Sequence, residues 1–417
     1  MLQLPIYMDN HATTRVDPRV VEAMLPYFGS VYGNAGSTSH SFGWEAREAV
    51  DRSRESVAGA LNASAKEIVF TSGATESCNL AIRGIAERSR RRGNHIVSVT
   101  TEHKAVLDPL KKLGRRGFEV TLLDVRPFGD PAVGLLDVEQ VRDALRDDTV
   151  LVAVMLANNE IGVLQPIAEI GALCRERGIP LLCDATQAVG KIPVDVEALN
   201  VDLLAFSAHK IYGPKGIGGL YVRRRAGGVR LESQIDGGGQ EHGLRSGTAN
   251  VPGIVGLAEA LKLCLEGLPQ QQARLKTLRG RLWEKLKAEV PDVQLNGPTL
   301  TEPYDAPWTP AELRLPGNLN CTFPYVDGEA LMISMRDVAV SSGSACTSAN
   351  PEPSHVLRAL AMGDDLCRAS LRFGLGRFNT VEEVDFTASV VAENVHRLRR
   401  LSSMAGERAS PSADSRQ

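Results

Sequence analysis

Short apolar runs separated by polar, helix-forming stretches dominate residues 65 to 225. Seven of them read as strands: Glu67 to Phe70, His95 to Val99, Phe118 to Asp124, Thr149 to Leu156, Ile179 to Cys183, Asp202 to Ser207 and Gly218 to Val222. Strands alternating with helical stretches predict a parallel, doubly wound sheet, with its ligand site beyond the carboxyl ends of the strands. Near residue 250 the pattern changes. Val251 to Leu265 is amphipathic, and Gln270 to Glu289 carries Leu275, Leu278, Leu282 and Leu286 at helical spacing. Connectors rich in Pro and Gly (296–298 and 303–310) lead to a second unit. It has strands near Asn318 to Phe323 and Val338 to Ser341 and a closing helix over Val381 to Leu401. The expected fold is α/β: a large unit over 16–258 built on a mostly parallel doubly wound sheet, and a smaller C-terminal α/β unit over 259–401. Residues 1–15 are expected to pack with the smaller unit. The small, polar stretch 402–417 reads as a disordered tail. No internal repeat stands out.

Composition narrows the function classes. The 417 residues are 43% hydrophobic and 23% charged, enough to build two cores. A net charge of −3 gives no reason to expect nucleic-acid binding. The basic cluster Arg88-Ser89-Arg90-Arg91-Arg92 runs into Gly93 and is explained by cations at a glycine-capped helix C-terminus. The first residues lack a basic segment followed by a long apolar core, and no stretch has the length of a membrane span. Seven scattered cysteines without metal-ligand spacing point to a reducing compartment, so a cytoplasmic protein without a metal site is expected.

Candidate chemistry centres on Lys210. It lies in Ser207-Ala208-His209-Lys210, directly after an apolar strand and before the Gly-rich Tyr212-Gly213-Pro214-Lys215-Gly216-Ile217-Gly218-Gly219. A lysine held by a tight turn at a strand end can enter a dry pocket and lose its proton, as a Schiff-base lysine must. Asp184, in Asp184-Ala185-Thr186-Gln187, closes another short strand, so both side chains should emerge at one sheet edge. Alone, either residue is better explained as a surface lysine or a helix cap. Together they are the two protein groups pyridoxal phosphate needs: an amine for its aldehyde and an acid for its ring nitrogen.

Other segments converge on the same edge. Thr71-Ser72-Gly73-Ala74-Thr75-Glu76 follows a strand and opens a helix, which makes it an anion site or simply a helix cap. Ser207 and His209 add donors for the same phosphate. His103, in Thr101-Glu102-His103-Lys104-Ala105, could stack on a cofactor ring or relay protons. Cys346 differs from the other six cysteines. Its surroundings, Ser341-Ser342-Gly343-Ser344-Ala345-Cys346-Thr347-Ser348-Ala349-Asn350-Pro351, hold no large apolar side chain and suit a mobile loop that reaches solvent. Cys183, Cys174, Cys264 and Cys321 fit buried small hydrophobes, while Cys78 and Cys367 lie in helical stretches.

On these residues the chain resembles the cysteine desulfurases of the class-V aminotransferase family, in particular the branch with a long catalytic loop that serves iron–sulfur cluster assembly. The resemblance runs from Asp9-Asn10-His11-Ala12-Thr13-Thr14 through the segments above, Asn158-Asn159-Glu160-Ile161-Gly162, Gly237-Gly238-Gly239-Gln240-Glu241 and Arg245-Ser246-Gly247-Thr248. It ends at Arg372-Phe373-Gly374-Leu375-Gly376-Arg377-Phe378 and omits only the tail. It implies that Lys210 forms the Schiff base with pyridoxal 5'-phosphate, that Asp184 faces the pyridine nitrogen and Gln187 the phenolic oxygen, and that His103 stacks over the ring. Thr75, Ser207 and His209 would bind the phosphate, with Ala74 and Asn159 also against the cofactor. Thr248 would come from the neighbouring subunit of a homodimer. Arg372, helped by Asn34 and Asn159, would clamp the substrate carboxylate. Cys346 would accept sulfur from L-cysteine and pass it to an acceptor protein such as an iron–sulfur scaffold. Selenocysteine lyase or aminotransferase chemistry on the same scaffold, or a degenerate member kept as a binding partner, are the other readings. Four positions depart from the family pattern: His11 stands where alanine is common, Cys78 replaces Asp or Asn, Leu156 replaces a histidine, and Gly33-Asn34-Ala35-Gly36-Ser37 replaces a commoner Asn-Pro-Ala-Ser.

Overall fold

The computed structural model describes residues 2–224, 228–300, 313–342 and 352–401. The Cys346 segment, the 303–310 connector and the tail beyond 401 lie outside these residues.

Strand β1 (Ile6–Tyr7) opens the chain. The central sheet is built from β2 (Ile68–Thr71), β3 (His95–Val99), β4 (Glu119–Leu123), β5 (Thr149–Met155), β6 (Leu181–Asp184), β7 (Leu203–Ser207) and β8 (Gly218–Val222). Its order is β2-β8-β7-β6-β5-β3-β4. β4, β3, β5, β6 and β7 run parallel, and β8 is antiparallel to both of its neighbours, β7 and β2. The sheet is therefore mostly parallel, as expected, with the reversal confined to one side. Downstream, β9 (Gln294–Leu295), β10 (Asn318–Thr322) and β12 (Ser370–Gly374) form a three-stranded antiparallel sheet, while β11 (Val338–Ala339) pairs with β1.

Strands buried on both faces explain the near-continuous apolar runs. Alternate residues feed two different cores. Val69, Leu182, Leu203, Ala205 and Leu220 pack beneath the helices Ala74–Ser89 and Lys104–Gly114. Ile68, Phe70, Cys183, Leu204, Phe206 and Tyr221 pack against Ser41–Ala60, Ile167–Arg177 and Val251–Leu265 on the opposite face. Val251–Leu265, which spans the expected boundary at 258, contributes to this core from Val251 to Cys264. A third core joins Ile6 and Met8 to Leu278, Leu282, Leu286, Leu319, Phe373 and Val391, so the first strand packs with the C-terminal elements.

Two glycines are required where the sheet meets the helix Ala74–Ser89. Gly73 caps that helix at φ +149, a backbone conformation open to glycine. A side chain at Gly218 would place its Cβ 2.5 Å from the Phe206 carbonyl oxygen and 2.7 Å from Gly73 Cα. The close approach brings the helix N-terminus to the carboxyl end of the strands. No helix among the described residues is long and apolar enough to cross a membrane.

Candidate active site

A cleft of about 550 Å³ opens at the carboxyl ends of β2, β3, β5, β6 and β7. Its walls include Ala74, Thr75, His103, Asn159, Asp184, Gln187, Ser207, His209, Lys210 and Arg372, ten residues that the sequence singled out separately. The placement follows from topology, because each parallel strand delivers the residue after it to the same edge.

Asp184 is the last residue of β6, paired with Met155 on one side and Ala205 on the other. Its Oδ1 accepts from the Thr186 backbone N–H (3.0 Å) and the Thr186 hydroxyl (2.5 Å). Oδ2 takes no part in that turn, and the residue lines the cleft. Lys210 ends the short 3₁₀ turn Ala208–Lys210 after β7. Its Nζ donates to the carbonyl oxygens of His11 (2.6 Å) and Ala12 (2.7 Å).

The segment Asp9 to Thr14 is thus a wall of the site. Thr14 N–H and its hydroxyl both donate to the His209 carbonyl, at 2.8 and 2.9 Å, and Tyr212 N–H donates to the Thr14 hydroxyl at 2.7 Å. His209 Nδ1 lies 3.1 Å from the Thr13 hydroxyl. Burial, followed by the charges of Lys210, Lys215 and Lys191, pushes the His209 imidazole down to about 4, so it is neutral at physiological pH.

His103 caps the helix Lys104–Gly114, and its Nδ1 accepts from Ala105 N–H at 3.0 Å. That bond assigns the ring proton to Nε2 in the neutral form. Burial lowers the affinity of the ring for a second proton, against the opposing pull of Asp184. Beside it, Glu102 is fully buried. One oxygen accepts from Met155 N–H at 2.6 Å and the other has no partner among the described residues. Desolvation raises this carboxyl well above the ordinary range, against the opposing hydrogen bond from Met155.

Arg372, on β12, crosses from the smaller sheet into the cleft. Its Nη2 pairs with Asp9 Oδ1 at 2.8 Å and its Nη1 donates to the Asn159 carbonyl at 3.0 Å. Nε has no partner among the described residues. Asp9 Oδ1 also accepts from the Ser341 hydroxyl at 3.0 Å. A guanidinium oriented on two sides keeps donors in hand for an anionic ligand.

Two expected residues lie elsewhere. Asn34 is exposed, with its Oδ1 engaged by Gly36 N–H at 2.8 Å, and Thr248 is exposed outside the cleft. Thr248 was expected to serve a neighbouring subunit. Sequence reasoning gives no role to Lys191, and it marks His11 only as a departure from the family pattern. Lys191 Nζ donates to Gln187 Oε1 at 2.6 Å, and His11 Nδ1 lies 3.2 Å from the same oxygen. The four-residue offset from Gln187 to Lys191 was the available signal. All six cysteines among the described residues are free and buried. Burial raises the Cys78, Cys174, Cys183, Cys264, Cys321 and Cys367 thiols, which makes them poor nucleophiles. The described residues contain no cluster of metal-ligating side chains.

The sequence profile of the aminotransferase class-V family matches residues 6–386, across all three sheets and every wall of the cleft. The chain belongs to the class-V aminotransferase family. Within it, the chain is similar to cysteine desulfurase IscS of Anaeromyxobacter dehalogenans strain 2CP-C, 56% identical over 401 residues that span 96% of this chain and 95% of the relative. Among solved structures, a NifS-like protein is 36% identical with a TM-score of 0.83, covering 94% of this chain and all of that one. SspA in complex with cysteine is 35% identical with a TM-score of 0.74, covering 90% and 100%. The family and the mostly parallel α/β fold thus agree with the sequence motifs.

Proposed function

We propose that this chain is a cysteine desulfurase. It takes sulfur from L-cysteine, releases L-alanine and holds the sulfur as a persulfide on Cys346 for iron–sulfur cluster assembly or other thiolation. The observation that carries the reading is the placement of Lys210 and Asp184 at the ends of adjacent strands, in one cleft that Arg372 enters from the smaller sheet. The 56% identity to a cysteine desulfurase over nearly the whole chain supports the same activity.

The cleft fits pyridoxal phosphate. Its volume suits a small cofactor with a substrate. A primary amine and a carboxylate come from neighbouring strands, and the N-terminus of a 16-residue helix, capped by Gly73, forms one end. Lys210 and Asp184 would hold its aldehyde and ring nitrogen, His103 and Gln187 its ring, and Ala74, Thr75, Ser207 and His209 its phosphate. Bound there, it supplies an electrophilic carbon for the substrate amine and a ring that accepts electrons from the substrate.

The protein's own groups do the rest. Arg372 binds the substrate carboxylate, with Asn159 alongside. Asp184, fixed by Thr186, presents a negative oxygen to the ring. Lys210, which would hold the cofactor's aldehyde, would also carry a proton at Nζ when not joined to it. His103, neutral with its proton on Nε2, offers a donor. Each cysteine among the described residues is buried with a raised thiol, so none competes for sulfur. Cys346, in a segment of small polar residues, is the acceptor. Thr248 completes the phosphate site of a second copy. The exposed apolar side chains Leu25, Phe28, Tyr32, Phe42 and Trp44 support such a dimer.

Cys346→Ala tests the assignment. The variant should retain the colour of the bound cofactor yet release no sulfide from cysteine in the presence of a thiol reductant. In the unmodified protein, mass spectrometry after incubation with cysteine should find added sulfur on Cys346. Full sulfide release by the variant would remove the role of this residue.

A further inference from the structure

Lys191 has an unusual setting for a lysine. It lies one turn beyond Gln187, on backbone bonds from Ala188 and Val189 to the Ala185 carbonyl and from Lys191 to the Ala188 carbonyl. The side chain turns inward between the cleft and a second cavity of about 160 Å³ that His11, Tyr212, Cys264 and Arg377 also line. Its Nζ donates to Gln187 Oε1 at 2.6 Å. Burial, followed by the charge of Lys210, lowers its amine to about 7, no carboxylate is among the groups that perturb it, and it acts in turn on His11 and His209. A cation placed among cations without an acidic partner is costly, so its position calls for a role.

The hydrogen-bond pattern supplies one. Gln187 Oε1 faces two donors, Lys191 Nζ and His11 Nδ1, while Nε2 donates to the His11 carbonyl at 2.9 Å. Rotating the amide by half a turn would set its carbonyl against the His11 carbonyl, and its NH₂ group against the protonated form of Lys191, which can only donate. The orientation is therefore dictated by chemistry. Nε2 has a second hydrogen, and Gln187 lines the cleft. The same oxygen requires His11 to carry its proton on Nδ1. That leaves His11 Nε2 as a buried acceptor with no partner among the described residues. An orphaned acceptor is unfavourable, and the ring holds this form because the Gln187 oxygen is pinned.

We propose that Lys191 is a positioning residue for the desulfurase reaction, locking the Gln187 amide with its NH₂ group toward the cleft and selecting the Nδ1–H form of His11. The inference rests on the function proposed above, but its first test needs no turnover. In the apoenzyme labelled with ¹⁵N-histidine, the His11 ring should read as Nδ1–H, with its signals assigned by their loss in His11→Asn. Lys191→Met removes the donor at similar length and should move His11 toward Nε2–H, while apoenzyme stability stays equal or rises. In the holoenzyme the same variant should lose roughly 10- to 100-fold in kcat for cysteine, with a smaller change in KM, as for one charge-assisted hydrogen bond. If Lys191→Met does not fold, Gln187→Met, which deletes the intermediary and leaves the lysine, should shift the His11 ring in the same direction. An unchanged His11 tautomer in a folded variant, or unchanged kcat, would overturn the proposal. Absence of sulfide release by the wild-type holoenzyme would instead overturn the desulfurase reading and leave the tautomer result standing.

Discussion

Replacing Glu160 by Gln should make the protein's stability markedly less dependent on pH. Glu160 is buried, and one carboxyl oxygen accepts from the Ser354 hydroxyl at 2.5 Å. Its backbone carbonyl receives the Asn318 and Asn320 amides at 3.0 and 3.1 Å. Desolvation raises the carboxyl from its ordinary 4.5 to about 7, against the opposing effects of Ser354, Arg372 and Lys104. The folded state therefore binds a proton that the unfolded state has lost. Its contribution to stability is complete below 4.5 and disappears as pH rises through 7. With about 1.4 kcal/mol for each tenfold change in proton affinity, the group costs about 3 kcal/mol of stability between pH 4.5 and pH 8. Glutamine keeps the acceptor for Ser354 and has no charge to bury. Thermal melts of apoenzyme and variant at half-unit intervals from pH 5 to 8 should converge at the acid end and separate toward pH 8, the variant being higher. Parallel curves would refute the reasoning, since they would mean that Arg372 and Ser354 hold the carboxylate ionised throughout.

Two further outcomes follow from contacts made by β2 and β8. Arg54 meets both oxygens of Glu241 at 2.7 Å, and the same carboxylate accepts from Phe70 N–H at 2.8 Å, with both side chains nearly buried. Arg54→Ala should cost about 3–5 kcal/mol by leaving that charge uncompensated, and Glu241→Gln in the same chain should recover part of it in denaturant melts. Gly218→Ala should cost roughly 1–3 kcal/mol from overpacking against Phe206 and Gly73. It should also weaken pyridoxal phosphate binding in a fluorescence titration, because relief requires the helix N-terminus to shift.

The central strands were readable because both of their faces are covered, so apolar residues run on without interruption, and His95–Val99 and Gly218–Val222 match residue for residue. The reversed direction of β8 was not read, although the ten residues between Ser207 and Gly218 are too few for a crossover. β6 begins at Leu181 because Pro180 has no N–H to give the ladder, and it extends to Asp184, which pairs with Met155 and Ala205. β12 is not evident from the pattern because Ser370-Leu371-Arg372-Phe373-Gly374 is short and carries a buried arginine among its apolar residues. In the site, Lys210 and Asp184 stand out because each lies at the end of its own strand. Lys191, Glu102 and Glu160 do not, since their states depend on partners and desolvation that only the assembled layers create.

The pairing of Asp184 with Ala205, two residues before Ser207, has a broader consequence. The gap between the acid and the amine-bearing turn is set by interstrand pitch rather than by either side chain. Surface positions can therefore drift widely without altering it, whereas sliding one strand by a single residue would turn the acid to the opposite face and end the chemistry.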